Sequence, residues 1–117
     1  MQIMETKEEN LIAAKISGKI SKKDVERFHP LIHNTIEKGQ KVDFYFELED
    51  FDGYELEGLW EDLKVDTTNL SDYGKMAFVG DKKWQEWAAK ATDFFTDSEV
   101  RFFHLQEKKK AKEWISQ

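Results

Sequence analysis

The residues best suited to chemistry are carboxylates that crowd the middle of the chain: Asp50, Asp52, Glu55, Glu57, Glu61 and Asp62. Carboxylate oxygens are the ligands that Ca²⁺ and Mg²⁺ prefer. The run Asp50-Phe51-Asp52-Gly53 matches the beginning of a calcium-binding loop, but the remainder of that loop pattern is missing. Acids are also favoured in the first turn of a helix, where they complement the helix dipole. We therefore predict a solvated acidic turn and no metal site.

Two histidines, His29 and His33, are four residues apart, a spacing that lets two imidazoles of one helix share a metal ion. Zn²⁺ normally takes three or four protein ligands, and the sequence offers neither a cysteine nor an evident third ligand. We interpret the pair as polar residues at the edge of a helix. His104 stands alone near the end of a predicted strand.

Catalytic signatures are missing from the sequence. No arrangement of a nucleophile, a base and an orienting acid is apparent, and the glycine patterns of phosphate and dinucleotide loops do not occur. The chain has no cysteine, which excludes thiol catalysis, disulfides and thiolate metal sites. We expect a protein without enzymatic activity and without a cofactor.

Aromatic residues give the strongest indication of a binding site. On a helix with the apolar stripe Trp84, Ala88, Ala91 and Phe95, the rings of Trp87 and Phe94 fall together at one edge, and Lys83 and Lys90 lie just beyond them. Such an edge could line a ligand cleft or touch a membrane interface, where tryptophan and lysine are favoured together. The alternative is that both rings extend the core beneath lysine stems. Phe51, Tyr54 and Trp60 could complete the same cleft.

The elements that position these residues follow from hydrophobic periodicity. Strands are predicted for Gln2 to Lys7, Leu11 to Ser17, Val42 to Leu48, Lys75 to Gly80 and Val100 to Leu105. Helices are predicted from about Ser21 to Gly39, from Leu56 to Leu63, from Asp81 to Phe95 and from about Gln106 to Ile115. Pro30 should kink the first of them, unless that helix starts later than Ser21. The order β-β-α-β-α-β-α-β-α predicts an α/β fold: a mostly parallel mixed sheet of five strands with four helices, opened by an antiparallel hairpin.

Composition sets the remaining limits. A chain of 117 residues is long enough for one domain, 1–117, and too short for two. The net charge of −6 argues against nucleic-acid binding, because phosphate contacts need clustered lysine and arginine. No apolar run approaches the ~20 residues of a membrane span, and the first residues lack a signal-peptide pattern. A cytoplasmic location is expected.

Several short motifs, in this order and spacing, resemble the SpoIIAA-like proteins, a branch of the STAS-type fold (sulfate transporter and anti-sigma factor antagonist). They are Asp50-Phe51-Asp52-Gly53-Tyr54, Leu59-Trp60-Glu61-Asp62, Trp84, Val100-Arg101-Phe102-Phe103 and Ala111-Lys112-Glu113-Trp114-Ile115. The resemblance implies a small cytoplasmic STAS-like domain that is also similar to lipid-carrying CRAL-TRIO domains. It implies a fold more directly than a function.

One feature departs from the anti-sigma factor antagonists. Those proteins carry a phosphorylatable serine in the turn after the third strand, whereas Asp50 to Lys64 contains neither serine nor threonine. A phosphate switch acts by adding about two negative charges at a defined place. The acidic turn could imitate a permanently phosphorylated state. Because no phosphorylatable residue is present, the simpler interpretation is that the switch is absent.

Two functions are compatible with these observations. The first is a regulatory or ligand-binding protein that holds a lipid or another small amphipathic molecule, or associates peripherally with the inner membrane face, through Phe51, Tyr54, Trp60, Lys83, Trp87, Lys90 and Phe94. The second is a protein-interaction module that captures a protein partner through Asp50, Asp52, Glu55 and Glu57. Loss of amphiphile binding in aromatic variants would favour the first, and loss of partner capture in acidic-turn variants the second.

Overall fold

Five strands form one mixed sheet in the structure, a computed structural model that describes residues 1–18, 22–49, 73–80 and 98–117. The strands lie side by side in chain order, with β1 antiparallel to β2 and the others parallel. They are β1 (Gln2–Met4), β2 (Leu11–Ser17), β3 (Val42–Glu49), β4 (Tyr73–Gly80) and β5 (Glu99–His104). The predicted α/β class and the mostly parallel five-stranded sheet with its opening hairpin are thus confirmed.

The first strand is shorter than predicted. It ends at Met4, and the hydroxyl of Thr6 donates to the carbonyl oxygens of Glu8 (2.9 Å) and Leu11 (3.0 Å). Such local side-chain bonds stabilise turns at the expense of strand pairing. Residues 5–10 therefore form the connection of the hairpin.

The helix predicted before β3 is two helices, α1 (Lys22–Glu26) and α2 (His29–Glu37). Pro30 lies in the first turn of α2, where its missing N–H leaves no intrahelical bond unmade. The chain therefore restarts a helix at this point instead of kinking one. Gly39 ends α2 as predicted, with φ of +73°, a conformation that glycine adopts without steric cost.

The last helical segment begins with a 3₁₀ turn (Leu105–Glu107) and continues as α3 (Lys108–Ile115). A carboxylate oxygen of Glu107 accepts a hydrogen bond from the backbone N–H of His104 at 3.1 Å, which closes the turn after β5. The two other predicted helices, from Leu56 to Leu63 and from Asp81 to Phe95, lie outside the described residues. The predicted number of four helices therefore stays a prediction.

The face of the sheet that α2 covers, called here the α2 face, carries an aromatic core. The rings of Phe44, Phe46, Phe78 and Phe102 stack in sequence across β3, β4 and β5 with centroids 5.2, 5.5 and 5.4 Å apart. Phe28 lies edge-on to Phe46 at 5.8 Å, the orientation that ring quadrupoles favour. The strict alternation from Val42 to Leu48 is what places these rings on one face.

The opposite face, called here the α3 face, has a smaller core. Ala13, Tyr45, Ala77 and Val79 from the strands pack against Ala111, Trp114 and Ile115 of α3. This helix packs on β3, β4 and β5. Among the described elements, α3 therefore covers this face unevenly, with β1 and β2 at the less covered side.

An irregularity in the pairing of β3 with β4 is held by Asp43. The register shifts between Val42 and Phe44, and a carboxylate oxygen of Asp43 accepts the backbone N–H of Lys75 at 2.8 Å. Burial raises the pKa of Asp43, and the hydrogen bond from Lys75 opposes that shift. Gly74 leaves room for this carboxylate, since a Cβ at position 74 would collide with it.

We expect Gly74→Ala to lower the free energy of unfolding by about 1–3 kcal/mol, the usual cost of forcing extra atoms into a packed site. Urea denaturation of the variant and the parent protein gives the difference. Asp43→Ala removes the colliding carboxylate, so Gly74→Ala should cost clearly less in that background. An equal cost in both backgrounds would contradict this account of Gly74.

Candidate functional site

The residues predicted to bind a ligand or a partner lie outside the described part of the chain. They are Phe51, Tyr54, Trp60, Lys83, Trp87, Lys90 and Phe94 for the ligand, and Asp50, Asp52, Glu55 and Glu57 for the partner. The structure neither assembles nor separates them, so both sets remain predictions. The described residues form a different candidate site, on the α3 face.

That site begins with a buried pair on the central strand. Tyr45 and Glu47 are two residues apart on β3 and therefore point to the same face. The Tyr45 hydroxyl donates to a carboxylate oxygen of Glu47 at 2.8 Å, and both residues are at most 5% exposed. Burial, together with the hydrogen bond to Glu47 and its negative charge, raises the pKa of Tyr45 far above its ordinary value.

A chain of ion pairs extends from Glu47 toward the carboxyl ends of the strands. The Nζ atom of Lys108 lies 3.7 Å from Glu47 and 3.5 Å from Glu49, and Lys15 on β2 lies 3.3 Å from Glu49. Hydrogen bonding and charge from Lys15, with a smaller effect from Lys108, lower the pKa of Glu49. These contacts join the last residues of β2 and β3 to the beginning of α3.

The helix presents a second lysine to the same strand. Lys112 follows Lys108 by four residues and so lies on the same side of α3. Its Nζ atom is 5.9 Å from the centroid of the Tyr45 ring, within the range of a cation–π contact. The two lysines therefore lie along β3, one at its carboxylates and the other at its tyrosine ring.

A cavity of about 460 Å³ opens beside this helix, between α3 and the β1–β2 hairpin. Its apolar surface comes mainly from Met4 and Leu11 at the side and from Ala13, Tyr45 and Ile115 at the floor. The polar residues of its lining are Glu5, Thr6, Lys7, Glu8, Lys112 and Ser116. The three floor residues are no more than 5% exposed, so the cavity rests on the packed core.

A second cavity of about 240 Å³ lies between the hairpin and α2. It is lined by Leu31, Asn34 and Thr35 of α2 and by hairpin residues that include Met4 and Leu11. Leu31 is the large apolar residue in this region that is most open to solvent, at 38%. The hairpin thus contributes to two cavities, of which the one beside α3 is larger.

The histidine pair does not gain a metal-binding environment from the fold as far as it is described. His29 and His33 both belong to α2. Within residues 1–18, 22–49, 73–80 and 98–117, no three histidine or acidic side chains converge as metal ligands would. The same part of the chain contains no helix long and apolar enough to cross a membrane.

Comparison with known proteins identifies a family and a similar solved structure. The family model described as SpoIIAA-like matches residues 11–116. The chain belongs to the SpoIIAA-like family. A crystal structure of an uncharacterized protein with a SpoIIAA-like fold, from Shewanella loihica PV-4, is 26% identical to it, with a TM-score of 0.65. That similarity covers 97% of this chain and 89% of the other. No curated protein matches the chain.

Membership of the SpoIIAA-like family confirms the predicted resemblance and establishes a STAS-type domain. It does not assign the cavity beside α3, which sequence reasoning missed. Its floor combines Ala13, Tyr45 and Ile115, which lie on three separate elements, so no local motif marks it. The sequence does contain one signal for this face. Asp43, Tyr45, Glu47 and Glu49 alternate along β3, which predicts that the second face of this strand carries polar groups in need of hydrogen-bond or ion-pair partners.

Tyr45→Phe is expected to lower the free energy of unfolding by about 1–3 kcal/mol, because it removes the hydrogen bond that the buried carboxylate of Glu47 accepts from the Tyr45 hydroxyl. Urea denaturation at neutral pH measures the change. In a Glu47→Leu background the same substitution removes no hydrogen bond to a carboxylate, so its cost should fall. A Tyr45→Phe protein as stable as the parent would show that the pair contributes nothing.

A pH dependence follows from the lowered pKa of Glu49. A carboxylate with a lowered folded-state pKa stabilises the protein above its unfolded-state pKa, and this contribution disappears as the pH falls through the folded-state value. The melting temperature of the parent should therefore exceed that of Glu49→Gln at pH 7, and the difference should shrink below about pH 4.5. A difference that is constant from pH 7 to pH 3 would contradict this assignment.

Proposed function

We propose that this SpoIIAA-like protein is a non-enzymatic regulatory domain that binds a small amphipathic molecule. The observation that carries the proposal is the cavity of about 460 Å³ between α3 and the hairpin. Its volume falls within the ~300–1,000 Å³ typical of ligand pockets. Its lining combines an apolar floor with a few charged groups, the arrangement that suits an amphipathic ligand.

The polar groups beside the cavity support binding over catalysis. The hydroxyl of Tyr45 is committed to Glu47, and Glu47 is paired with Lys108. A general acid or base must reach a substrate proton within hydrogen-bond distance. Groups that are buried and already paired with one another are poorly suited to that task, so their role here is to hold β3 and α3 together.

The aromatic cleft predicted from Phe51, Tyr54, Trp60, Trp87 and Phe94, with Lys83 and Lys90, is a second proposed location for the same ligand. It would lie between the second and third of the four predicted helices. Right-handed connections between parallel strands in chain order all pass over one face of a sheet. The connection from β2 to β3 runs on the α2 face, so the rule predicts that this cleft and the cavity lie on opposite faces.

An amphipathic ligand would bring the protein into contact with a membrane. A ligand with a long apolar part has little solubility in water, so a protein that binds it exchanges it with a membrane. We propose a cytoplasmic protein that contacts the inner membrane face peripherally during this exchange. The predicted pairing of tryptophan with lysine at Trp87 and Lys83 favours such a contact.

The test is a titration of purified protein with single-chain amphiphiles, after native mass spectrometry has established whether a molecule is already bound. Ser116 is exposed and lines the cavity, so Ser116→Trp should fill the opening without disturbing the core. We expect it to weaken binding about tenfold or more. Glu113→Trp is the control, because Glu113 is an exposed residue near the end of α3 and lies outside the cavity lining.

The outcomes distinguish whether the protein binds an amphiphile from where it binds it. Weak binding in Trp87→Ala and Phe94→Ala, with full binding in Ser116→Trp, would move the ligand to the predicted cleft. If no amphiphile binds the parent protein and none is carried from purification, ligand binding is wrong. Pull-downs comparing the parent with Asp52→Asn and Glu55→Gln would then examine the protein-interaction alternative.

A further inference from the structure

The charges around the α3-face cavity are distributed unevenly. On the helix side, Lys112 is placed above the Tyr45 ring. On the hairpin side lie Glu5 and Glu8, together with Lys7. Two carboxylates and one ammonium give the hairpin side a net negative charge, whereas Lys112 makes the helix side positive, so an anionic group entering this cavity is favoured on the helix side.

Lys112 is also the lysine of α3 that lines the cavity. Lys108, one turn earlier, forms ion pairs with Glu47 and Glu49. Lys110 pairs with Glu107 at 3.7 Å. Among the described residues, no carboxylate forms an ion pair with Lys112, whose ammonium contacts the tyrosine ring instead.

We propose that the cavity takes a single-chain amphiphile with an anionic head, a carboxylate or a phosphate, whose head pairs with Lys112. The chain would lie over the Tyr45 ring, against Met4 and Leu11. This inference rests on the proposed function and adds the chemical class and the orientation of the ligand.

Two observations determine the orientation, and a third determines the number of chains. The floor is apolar and almost fully buried, and an unpaired charge is costly to bury, so the head must stay at the rim. The Tyr45 hydroxyl already donates to Glu47 and is not free to hold the head. The volume of about 460 Å³ is near the lower end of ligand pockets, which favours one chain over two.

Isothermal titration calorimetry with four amphiphiles of equal chain length tests the proposal, all below their micelle-forming concentrations and at one salt concentration. They are dodecanoate, dodecyl phosphate, zwitterionic dodecylphosphocholine and uncharged dodecyl maltoside. We expect the two anions to bind most tightly to the parent protein. Comparing dodecanoate with dodecyl phosphate distinguishes a carboxylate head from a phosphate head.

Lys112→Gln should weaken binding of the preferred anion about two- to fivefold, the range expected for an exposed ion pair. The affinity for dodecyl maltoside should not change. Lys112→Arg should restore the preference. Lys109→Gln is the matched control, because Lys109 is exposed on the same helix and does not line the cavity. It removes the same net charge and should have little effect.

The outcomes keep this inference separate from the proposed function. If Lys112→Gln and Lys109→Gln weaken anion binding equally, the effect comes from the net charge of the protein, and the assignment of the head group to Lys112 is wrong. Tighter binding of dodecylphosphocholine than of either anion would assign a zwitterionic head and overturn it as well. In both cases ligand binding itself survives, whereas failure of all four amphiphiles would remove the proposed function.

Discussion

Strand β3 is paired with a parallel strand on each side, and both of its faces are covered. This constraint organises the described part of the molecule. Every second side chain must fit the α2 face, where the phenylalanine rings pack, and the others must fit the α3 face. Burial of a phenylalanine contributes about 1.5–3 kcal/mol, so the α2 face stabilises β3 by apolar packing alone. On the α3 face the same strand carries Tyr45 and Glu47, which need polar partners.

The partners of that second face explain the position of α3. Trp114 and Ile115 give the helix its apolar contact, while Lys108 meets the carboxylates of Glu47 and Glu49. A helix is about 10 Å across and neighbouring strands are about 4.8 Å apart, so one helix covers two or three strands of five. With α3 over β3, β4 and β5, the β1–β2 side keeps a cavity. In the part of the chain that the structure describes, the cavity is therefore a consequence of covering a wide sheet face with one short helix.

The sequence predicts the fold well where the hydrophobic period is regular. The alternation from Val42 to Leu48 gave the central strand and its buried face, and Gly39 marked the end of α2. Pro30 predicts a kink inside a helix but no disruption in a first turn, and the sequence does not reveal where the helix starts. The cavity beside α3 was not predictable in the same way. Its floor residues are far apart in the chain, and only the topology of the sheet brings Ala13, Tyr45 and Ile115 together.

The net charge of −6 must be reconciled with an anionic ligand. The field of the whole chain opposes the approach of an anion, but charges more than about 8 Å apart are largely screened at physiological ionic strength. An ion pair formed at Lys112 acts at much shorter range and is screened less. Most of the binding free energy would come from the apolar chain, which overall charge does not affect. The position of Lys112 in the cavity would then determine which head group the protein selects, and the net charge of the protein would have little influence.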